Sequence, residues 1–346
     1  MKKIKKTILF ILKLGIVAGV VYLLVLRNPQ EIVSCFRSFD LKWLVPAFGI
    51  YVFHMLICAW RWFRLTHVLQ VKLGIWEAVS LSLPGYFFSL VIPGGAIGGD
   101  VVKMGVLAKR TPTGAKMEGA FTILMDRIIG MIALFLLALI LLFPAYGLLC
   151  LIPIPGVTDS ARWCWLPATV IGAVCCSGLA ASTVIFFHRR VEKFAPVGFL
   201  MKKADERTHG MVSRMTAAAD VYRRSWCELC KLVLLSIVGV HLMTVVPLGC
   251  ILYGLNVEFS PLVLVTAVTV GNIVGLIPIF PSGVGGRDVT IIGILTAGGI
   301  AAPDARTAQL LYTLIVLSAN LIGGIFFLFD PGRKKTRELL VECENE

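Results

Sequence analysis

Residues 91–100, with the sequence VIPGGAIGGD, interrupt an apolar stretch that extends from residue 75 to residue 109. A second interruption, IPIFPSGVGGRD at residues 277–288, divides the apolar stretch 262–301. A proline followed by several glycines cannot continue a helix. Backbone without regular structure is tolerated at membrane depth only where protein buries it or a wet cavity borders it. We therefore predict that each stretch is a re-entrant hairpin, made of two half-helices joined at the break.

The composition indicates that most of the chain lies in a membrane. Of the 346 residues, 58% are hydrophobic and only 15% are charged, whereas soluble domains are about half apolar and a quarter charged. These proportions exclude an ordinary soluble enzyme, a nucleic-acid-binding protein and a disordered chain. Apolar runs of the length that spans a bilayer are found at residues 7–26, 41–60, 116–143, 162–187, 230–252 and 306–329. We predict an all-α integral membrane protein with six full transmembrane helices and the two hairpins.

Lysine and arginine residues predict the orientation in the membrane. If the N-terminus is cytoplasmic and both hairpins return to the side from which they enter, 25 of the 33 basic residues lie in cytoplasmic segments. Only five lie on the opposite side, which agrees with the positive-inside rule. We therefore expect a multi-pass protein of the inner or plasma membrane, with both termini in the cytoplasm.

The two halves of the chain follow one pattern, with two spans, a hairpin and a third span over residues 1–143 and again over residues 162–329. Three full crossings are an odd number, so the second half enters the membrane with the opposite orientation. The first hairpin then dips from the cytoplasm and the second from outside. Inverted repeats whose broken helices meet near the midplane are typical of secondary transporters. The alternative is two unrelated glycine-rich kinks.

The connector between the halves, residues 188–229, carries nine basic and five acidic residues. We predict an amphipathic helix that lies on the cytoplasmic leaflet, where anionic headgroups would bind it. The alternative is a solvated connector. Residues 330–346 are expected to be a cytoplasmic tail. The apolar stripe of the predicted helix consists of Val212, Met215, Ala219 and Tyr222.

Several ionisable residues lie inside the apolar runs or at the breaks. A charge at the bilayer centre costs about 2.5–3.5 kcal/mol, so these side chains must contact each other or water, and we expect Arg127 to pair with an acid of a hairpin, Asp100 in particular. The functional hypothesis is a mid-membrane anion site, formed by both hairpin tips and their half-helix N-termini. The alternative is a buried ion-pair network that fixes helix register. The charges in question are Asp100, Asp126, Arg127, Arg287 and Asp288, with Lys103 close by.

Other residues of the types that bind metals or take part in catalysis are interpreted as structural. His54 and His241 each lie alone on an apolar helix, without the spacing of metal ligands. Arg61 and Arg64 stand among tryptophans at the end of the second span, where we expect them to reach lipid headgroups. No nucleotide-binding loop, zinc motif or nucleophile elbow occurs in the sequence. We therefore expect no enzymatic activity, no bound metal and no cofactor.

Three strings carry a resemblance to a known family: FFSLVIPGGAIGGDVVKM from residue 87, MEGAFTILMDRIIG from residue 117 and IPIFPSGVGGRDVTII from residue 277. The chain resembles, over nearly its whole length, the lysylphosphatidylglycerol synthase transmembrane region, also called flippase-like domain proteins. Some members of that family fuse this region to a cytoplasmic aminoacyl-transferase domain that makes the lipid. The resemblance implies that the membrane region moves the lipid between leaflets. We expect no synthase domain in this chain.

By position, the resemblance assigns a substrate-binding role to residues of three motifs. Lys103 stands where an arginine is commoner in the family, and Arg287 with Asp288 stands where the family often has a glutamate. Both differences bear on which headgroup the protein prefers. The matching residues are Pro93, Gly94, Gly95, Gly98, Gly99 and Asp100 in the first motif, Asp126 and Arg127 in the second, and Pro281, Gly283, Gly285 and Gly286 in the third.

The resulting hypothesis is a lipid flippase that moves an anionic or phosphate-linked lipid between membrane leaflets through the site at the two hairpins. The alternative is a non-transporting scaffold that binds lipid for a lipid-modifying or envelope-synthesis enzyme. The expected partners are membrane lipids with anionic headgroups, together with a second copy of the chain or a lipid-synthesising enzyme. We expect no nucleic acid partner.

Overall fold

The structure is a computed structural model that describes residue 35 and residues 37–91, 96–110, 116–152, 162–187, 211–277 and 285–329. Every regular element in these residues is helical. The elements are α1 (Leu44–Val68, preceded by the 3₁₀ turn Leu41–Trp43), α2 (Ile75–Val91), α3 (Ala96–Arg110), α4 (Lys116–Leu142), α5 (Tyr146–Cys150), α6 (Leu166–Phe186), α7 (Met211–Arg224), α8 (Trp226–Leu235), a π-helical segment (Ser236–Leu242), α9 (Val245–Gly254), α10 (Pro261–Gly275), α11 (Gly286–Ala297) and α12 (Ala302–Phe329).

Five of the predicted spans correspond to helices that are long and apolar enough to cross a bilayer. Local signals explain where some of them begin. The Asp40 carboxylate caps the turn before α1 by accepting the Lys42 N–H, and Pro167 lies in the first turn of α6. The predicted span at residues 7–26 lies outside the described residues. The five helices are Leu41–Val68, Met117–Leu142, Leu166–Phe186, Trp226–Gly254 and Ala302–Phe327.

A pair of packed helices flanks each predicted break. Helices α2 and α3 contact each other so closely that a Cβ atom on Gly99 would overlap the carbonyl oxygen of Gly85. Helices α10 and α11 also pack together, and a Cβ on Gly271 would lie 2.6 Å from Cγ1 of Ile291. Residues 92–95 and 278–284, where the breaks are predicted, lie outside the described residues. The re-entrant course of each pair therefore stays a prediction.

The two halves of the chain interlock. Helix α12 packs along α2, where a Cβ on Gly323 would overlap the carbonyl oxygen of Leu83. The largest hydrophobic core joins α1 to α9, α10, α11 and α12 and includes the fully buried Leu248, Ile251 and Tyr312. Through these contacts α12 packs against both α2 and the large core. The ionisable residues near the first break and those near the second break therefore belong to one packed body.

The connector contributes α7, which is helical as predicted but contacts protein on its apolar side. Ala219 and Tyr222, two residues of the stripe expected on the lipid leaflet, are buried in a core with Leu65 and Met125. The Tyr222 hydroxyl donates a hydrogen bond to the Leu65 carbonyl oxygen at 2.9 Å, and burial raises the pKa of Tyr222. The stripe packs against α1 and α4 because these helices present apolar surface at their ends.

Candidate functional site

The predicted pair of Arg127 and Asp100 is present. Asp100 is the fifth residue of α3, and Arg127 is the twelfth residue of α4. The Arg127 Nε–H donates to Oδ2 of Asp100, and the side chains are 42% and 23% exposed, respectively. This ion pair therefore joins the first helix pair to the third predicted span at a place that is open on one side.

Asp126 has a different partner, because adjacent helical residues point about 100° apart. Its carboxylate accepts a hydrogen bond from Arg61 Nε at 2.8 Å, and Arg61 also donates from Nη1 to Ser236 Oγ at 3.0 Å. Arg61 is buried, so the expectation that it reaches headgroups is wrong. Gly130 leaves room for the guanidinium, since a Cβ there would lie 3.3 Å from Nη1.

Arg64 also has an ion-pair partner, near the C-terminal end of α1. It pairs with Glu228 of α8, and its guanidinium lies 5.4 Å from the centre of the Trp60 ring. The side chains of Arg64 and Glu228 are 41% and 23% exposed. This pair nearly reproduces the exposure of the pair Arg127–Asp100 without sharing a residue with it.

Lys103 lies one turn after Asp100 on α3 and is buried against Trp62. Its Nζ is 3.5 Å from the centre of the indole ring. Trp62 is itself fully buried, and its Nε1–H donates to Thr122 Oγ1 at 3.0 Å. We name Arg61, Asp100, Lys103, Asp126 and Arg127 the first polar cluster.

The π-helical segment interrupts the span Trp226–Gly254 beside this cluster. Its first residue, Ser236, accepts the hydrogen bond from Arg61, and His241 places Nε2 2.9 Å from the Gly130 carbonyl oxygen. The first contact reaches α1 and the second reaches α4, one turn after Asp126. Single π-helical turns occur frequently at functional sites, and the sequence carried no signal for this one.

The second polar cluster is formed by α11 and α12. The Asp288 carboxylate forms an ion pair with Arg287 at 3.2 Å. It also accepts hydrogen bonds from three neutral donors, the Gly285 N–H at 3.1 Å, Gln309 Nε2 at 2.8 Å and Thr313 Oγ1 at 3.3 Å. The charged pair is buried, with exposures of 8% and 6%. Gly285 has a φ of 103°, a conformation that favours glycine. The members are Arg287, Asp288, Gln309, Tyr312 and Thr313.

One buried face of α1 connects the two clusters. The Tyr51 ring lies 6.3 Å from the Tyr312 ring and 5.1 Å from the His54 ring, measured between centres. Cys58 Sγ is 3.6 Å from His54 Nε2, and Arg61 follows one turn later. Tyr312 in turn contacts Arg287, whose guanidinium carbon lies 5.4 Å from the ring centre. A row of polar side chains on α1 thus extends from the second cluster to the first. Its members, spaced three, four and three residues apart, are Tyr51, His54, Cys58 and Arg61.

Residues 10–324 match the family model described as lysylphosphatidylglycerol synthase TM region. The chain belongs to this family. The match covers nearly the whole chain and confirms the resemblance found in the sequence. No curated protein matches the sequence. The chain is therefore a multi-pass helical membrane protein of the lysylphosphatidylglycerol synthase TM region family.

The residues that the family resemblance pointed to fall into three groups. Pro93, Gly94, Gly95, Pro281 and Gly283 lie outside the described residues. Gly98 and Gly99 are buried at the start of α3, whereas Gly285 and Gly286 mark the start of α11. The charged residues divide between the two polar clusters described above.

Residues outside the predicted set also belong to the site. Arg61 and Ser236 complete the surroundings of Asp126, while Gln309 and Thr313 complete those of Asp288. The polar spacing along α1 was readable in the sequence, because apolar spans rarely carry such residues on one face. No group of three or more His, Cys, Asp or Glu side chains that could hold a metal is found in the described part of the chain.

Proposed function

We propose that this protein moves an anionic or phosphate-linked lipid between membrane leaflets, with the headgroup passing through the polar interior while the tails stay in the bilayer. The observation that carries the proposal is the buried polar face of α1, which joins two charged clusters inside a largely apolar protein. Ionisable residues within membrane spans usually mark a substrate or ion pathway. The polar face offers a headgroup a continuous series of contacts.

The positions of the two clusters support the proposed inverted repeat. Asp100 and Asp288 lie near the starts of α3 and α11, the helices that follow the two breaks. Their partners Arg127 and Thr313 are each the twelfth residue of the helix that follows, α4 and α12. Transporters with inverted repeats build their sites from such corresponding positions in broken helices. We further propose re-entrant hairpins, cytoplasmic termini and a location in the inner or plasma membrane.

The charge of the clusters favours an anionic substrate. Together they contain four basic side chains, Arg61, Lys103, Arg127 and Arg287, but only three carboxylates. A buried excess of positive charge is unfavourable unless an anion balances it. The headgroup of an anionic lipid supplies that balance. We propose transport without catalysis, driven by a lipid gradient or by consumption of the lipid on one side.

A leaflet-exchange assay tests the proposal. The purified protein is reconstituted in liposomes with fluorescent phosphatidylglycerol, and dithionite quenching measures the lipid that reaches the outer leaflet. We expect wild-type protein to accelerate exchange and Asp100→Asn or Arg127→Gln to slow it at least about tenfold, since a tenfold change requires only about 1.4 kcal/mol. Glu228→Gln is the matched control, because it breaks an ion pair of similar exposure outside the clusters. Equal rates for wild type and Asp100→Asn contradict the proposal.

A second candidate function, a lipid-binding scaffold, is favoured by the outer face of α7. Docked by Ala219 and Tyr222, this helix leaves Arg214, Arg223 and Arg224 exposed. Such a basic face could hold an acidic surface of a lipid-synthesising enzyme or of a second copy of the chain. The scaffold function is favoured if wild-type protein does not accelerate exchange and Arg223→Gln with Arg224→Gln weakens partner binding.

A further inference from the structure

We propose that Lys103 is the anion-binding residue of the first polar cluster and that it holds one phosphodiester group of a lipid against Trp62. The inference rests on the proposed function for the source of the anion, a membrane lipid. The placement of Lys103 rests on the structure alone. A phosphodiester is the group through which most anionic membrane lipids carry their single negative charge.

Among the described residues of the two polar clusters, the pairing of the other charges leaves Lys103 as the remaining cation. Arg61 pairs with Asp126, Arg127 pairs with Asp100, and the two residues Arg287 and Asp288 pair with each other. In the part of the chain that the structure describes, no carboxylate lies within ion-pair distance of Lys103. Asp100 and Asp126 act on its charge through space, but each is occupied by an arginine.

The surroundings of Lys103 hold the ammonium group in place without neutralising it. The side chain is 8% exposed, and Nζ lies 3.5 Å from the centre of the Trp62 ring. The face of an indole attracts a cation but accepts no negative charge in return. A lysine ammonium has three N–H donors, and among the described residues none of the three has a hydrogen-bond acceptor. The ammonium is therefore positioned and desolvated, with its donors available to phosphate oxygens.

The cluster offers both an approach to Lys103 and a preference for one negative charge. Asp100 lies one turn before Lys103 on α3, and its partner Arg127 is 42% exposed, so a headgroup can reach the cluster along this edge. With three basic side chains and two carboxylates, the cluster is balanced by a single negative charge. A phosphate monoester with two negative charges would meet repulsion from Asp100 and Asp126.

Lipid retention measured by native mass spectrometry tests this inference. Wild-type protein and variants are extracted from vesicles of phosphatidylcholine with a minor share of phosphatidylglycerol, and the lipids retained by each are counted. We expect Lys103→Met, which keeps the length without the charge, to lower phosphatidylglycerol retention about tenfold. Phosphatidylcholine retention should stay unchanged, because its choline cation already balances its phosphodiester and would be repelled by the excess positive charge of the cluster. Lys103→Arg should restore retention. Lys231→Met, at an exposed lysine, is the control and should bind as wild type does.

The midpoint of thermal unfolding serves as the control that each variant is folded. Lys103→Met should leave this midpoint unchanged or raise it, because the substitution removes a buried charge. Unaltered phosphatidylglycerol retention in a folded Lys103→Met protein overturns the inference even if lipid exchange proceeds. Lowered retention supports it even if wild-type protein fails to accelerate exchange, which would contradict the proposed transport alone. Competition by inorganic phosphate at concentrations comparable to the lipid would overturn the assignment of a lipid as the source of the anion.

Discussion

The first polar cluster is open along one edge and carries an excess of positive charge, whereas the charged pair of the second is buried and electrically balanced. The pair Arg127–Asp100 is 42% and 23% exposed, compared with 8% and 6% for Arg287 and Asp288. Asp288 also accepts hydrogen bonds from the backbone of Gly285 and from Gln309. The Asp288 carboxylate is therefore engaged by several internal donors, and among the described residues only the buried Gln309 Oε1 of this cluster lacks a hydrogen-bond partner. The first cluster, with its excess charge, has capacity left for a ligand.

One inserted residue accounts for much of this difference. The first break ends in Gly-Gly-Asp, and the second ends in Gly-Gly-Arg-Asp. Asp288 consequently finds its cation next to it in sequence, on the same helix, whereas Asp100 takes its cation from α4. The local pair in the second cluster leaves α12 free to contribute neutral partners, Gln309 and Thr313. The second cluster therefore mainly stabilises the structure, whereas the first cluster is the part of the proposed pathway that has charge left to bind a headgroup.

The largest effect that this comparison predicts is on stability, at Asp288. Asp288→Asn leaves Arg287 buried without a carboxylate, so we expect a loss of about 3–5 kcal/mol in the free energy of unfolding. Thermal unfolding of the purified protein in detergent measures it. Arg287→Met combined with Asp288→Asn should recover much of the loss, since neither charge then remains. A loss below about 1 kcal/mol would show that the second cluster is accessible to water.

A smaller effect on the free energy of unfolding is predicted at the close contact between α2 and α3. Gly99→Ala forces α3 away from the backbone of Gly85, and we expect a cost of about 1–3 kcal/mol. Gly293→Ala on α11 is the control, because no atom lies within 4 Å of the point that the new methyl group would occupy and alanine favours a helix by up to about 1 kcal/mol. Unfolding of both variants measures the difference. Equal midpoints would contradict the close approach of α2 and α3.

The sequence was sufficient to predict the helical class, five of the spans and the pair Arg127–Asp100. These predictions depend on one strong effect, the cost of charge in an apolar solvent, which restricts where apolar runs and isolated charges can lie. Arg61 was assigned to the wrong environment for a physical reason. Helix α1 continues to Val68, two turns beyond the predicted end at residue 60, and this extension moves Arg61 from the surface to the interior.

Features that depend on tertiary contact could not be predicted from the sequence. The contact between Lys103 and Trp62 joins residues far apart in the chain, and an aromatic ring carries no charge that would identify it as a partner. The π-helical segment depends on side chains such as Ser236 meeting α1, which no local pattern specifies. Tyr222 turned towards protein because α4 offers apolar surface that competes with lipid.

The smallest predicted effect on stability is at Asp100, and it is the sharpest test of the comparison. Because the pair Arg127–Asp100 is partly exposed, we expect Asp100→Asn to cost less than about 1 kcal/mol and the cost to fall with salt. Glu228→Gln, with similar exposure, should cost the same. Unfolding measured at low and high salt decides this. If Asp100→Asn is nearly as stable as wild type and yet fails to exchange lipid, its carboxylate serves the substrate rather than the fold. If it is as unstable as Asp288→Asn, both clusters are structural and the difference between them has no functional meaning.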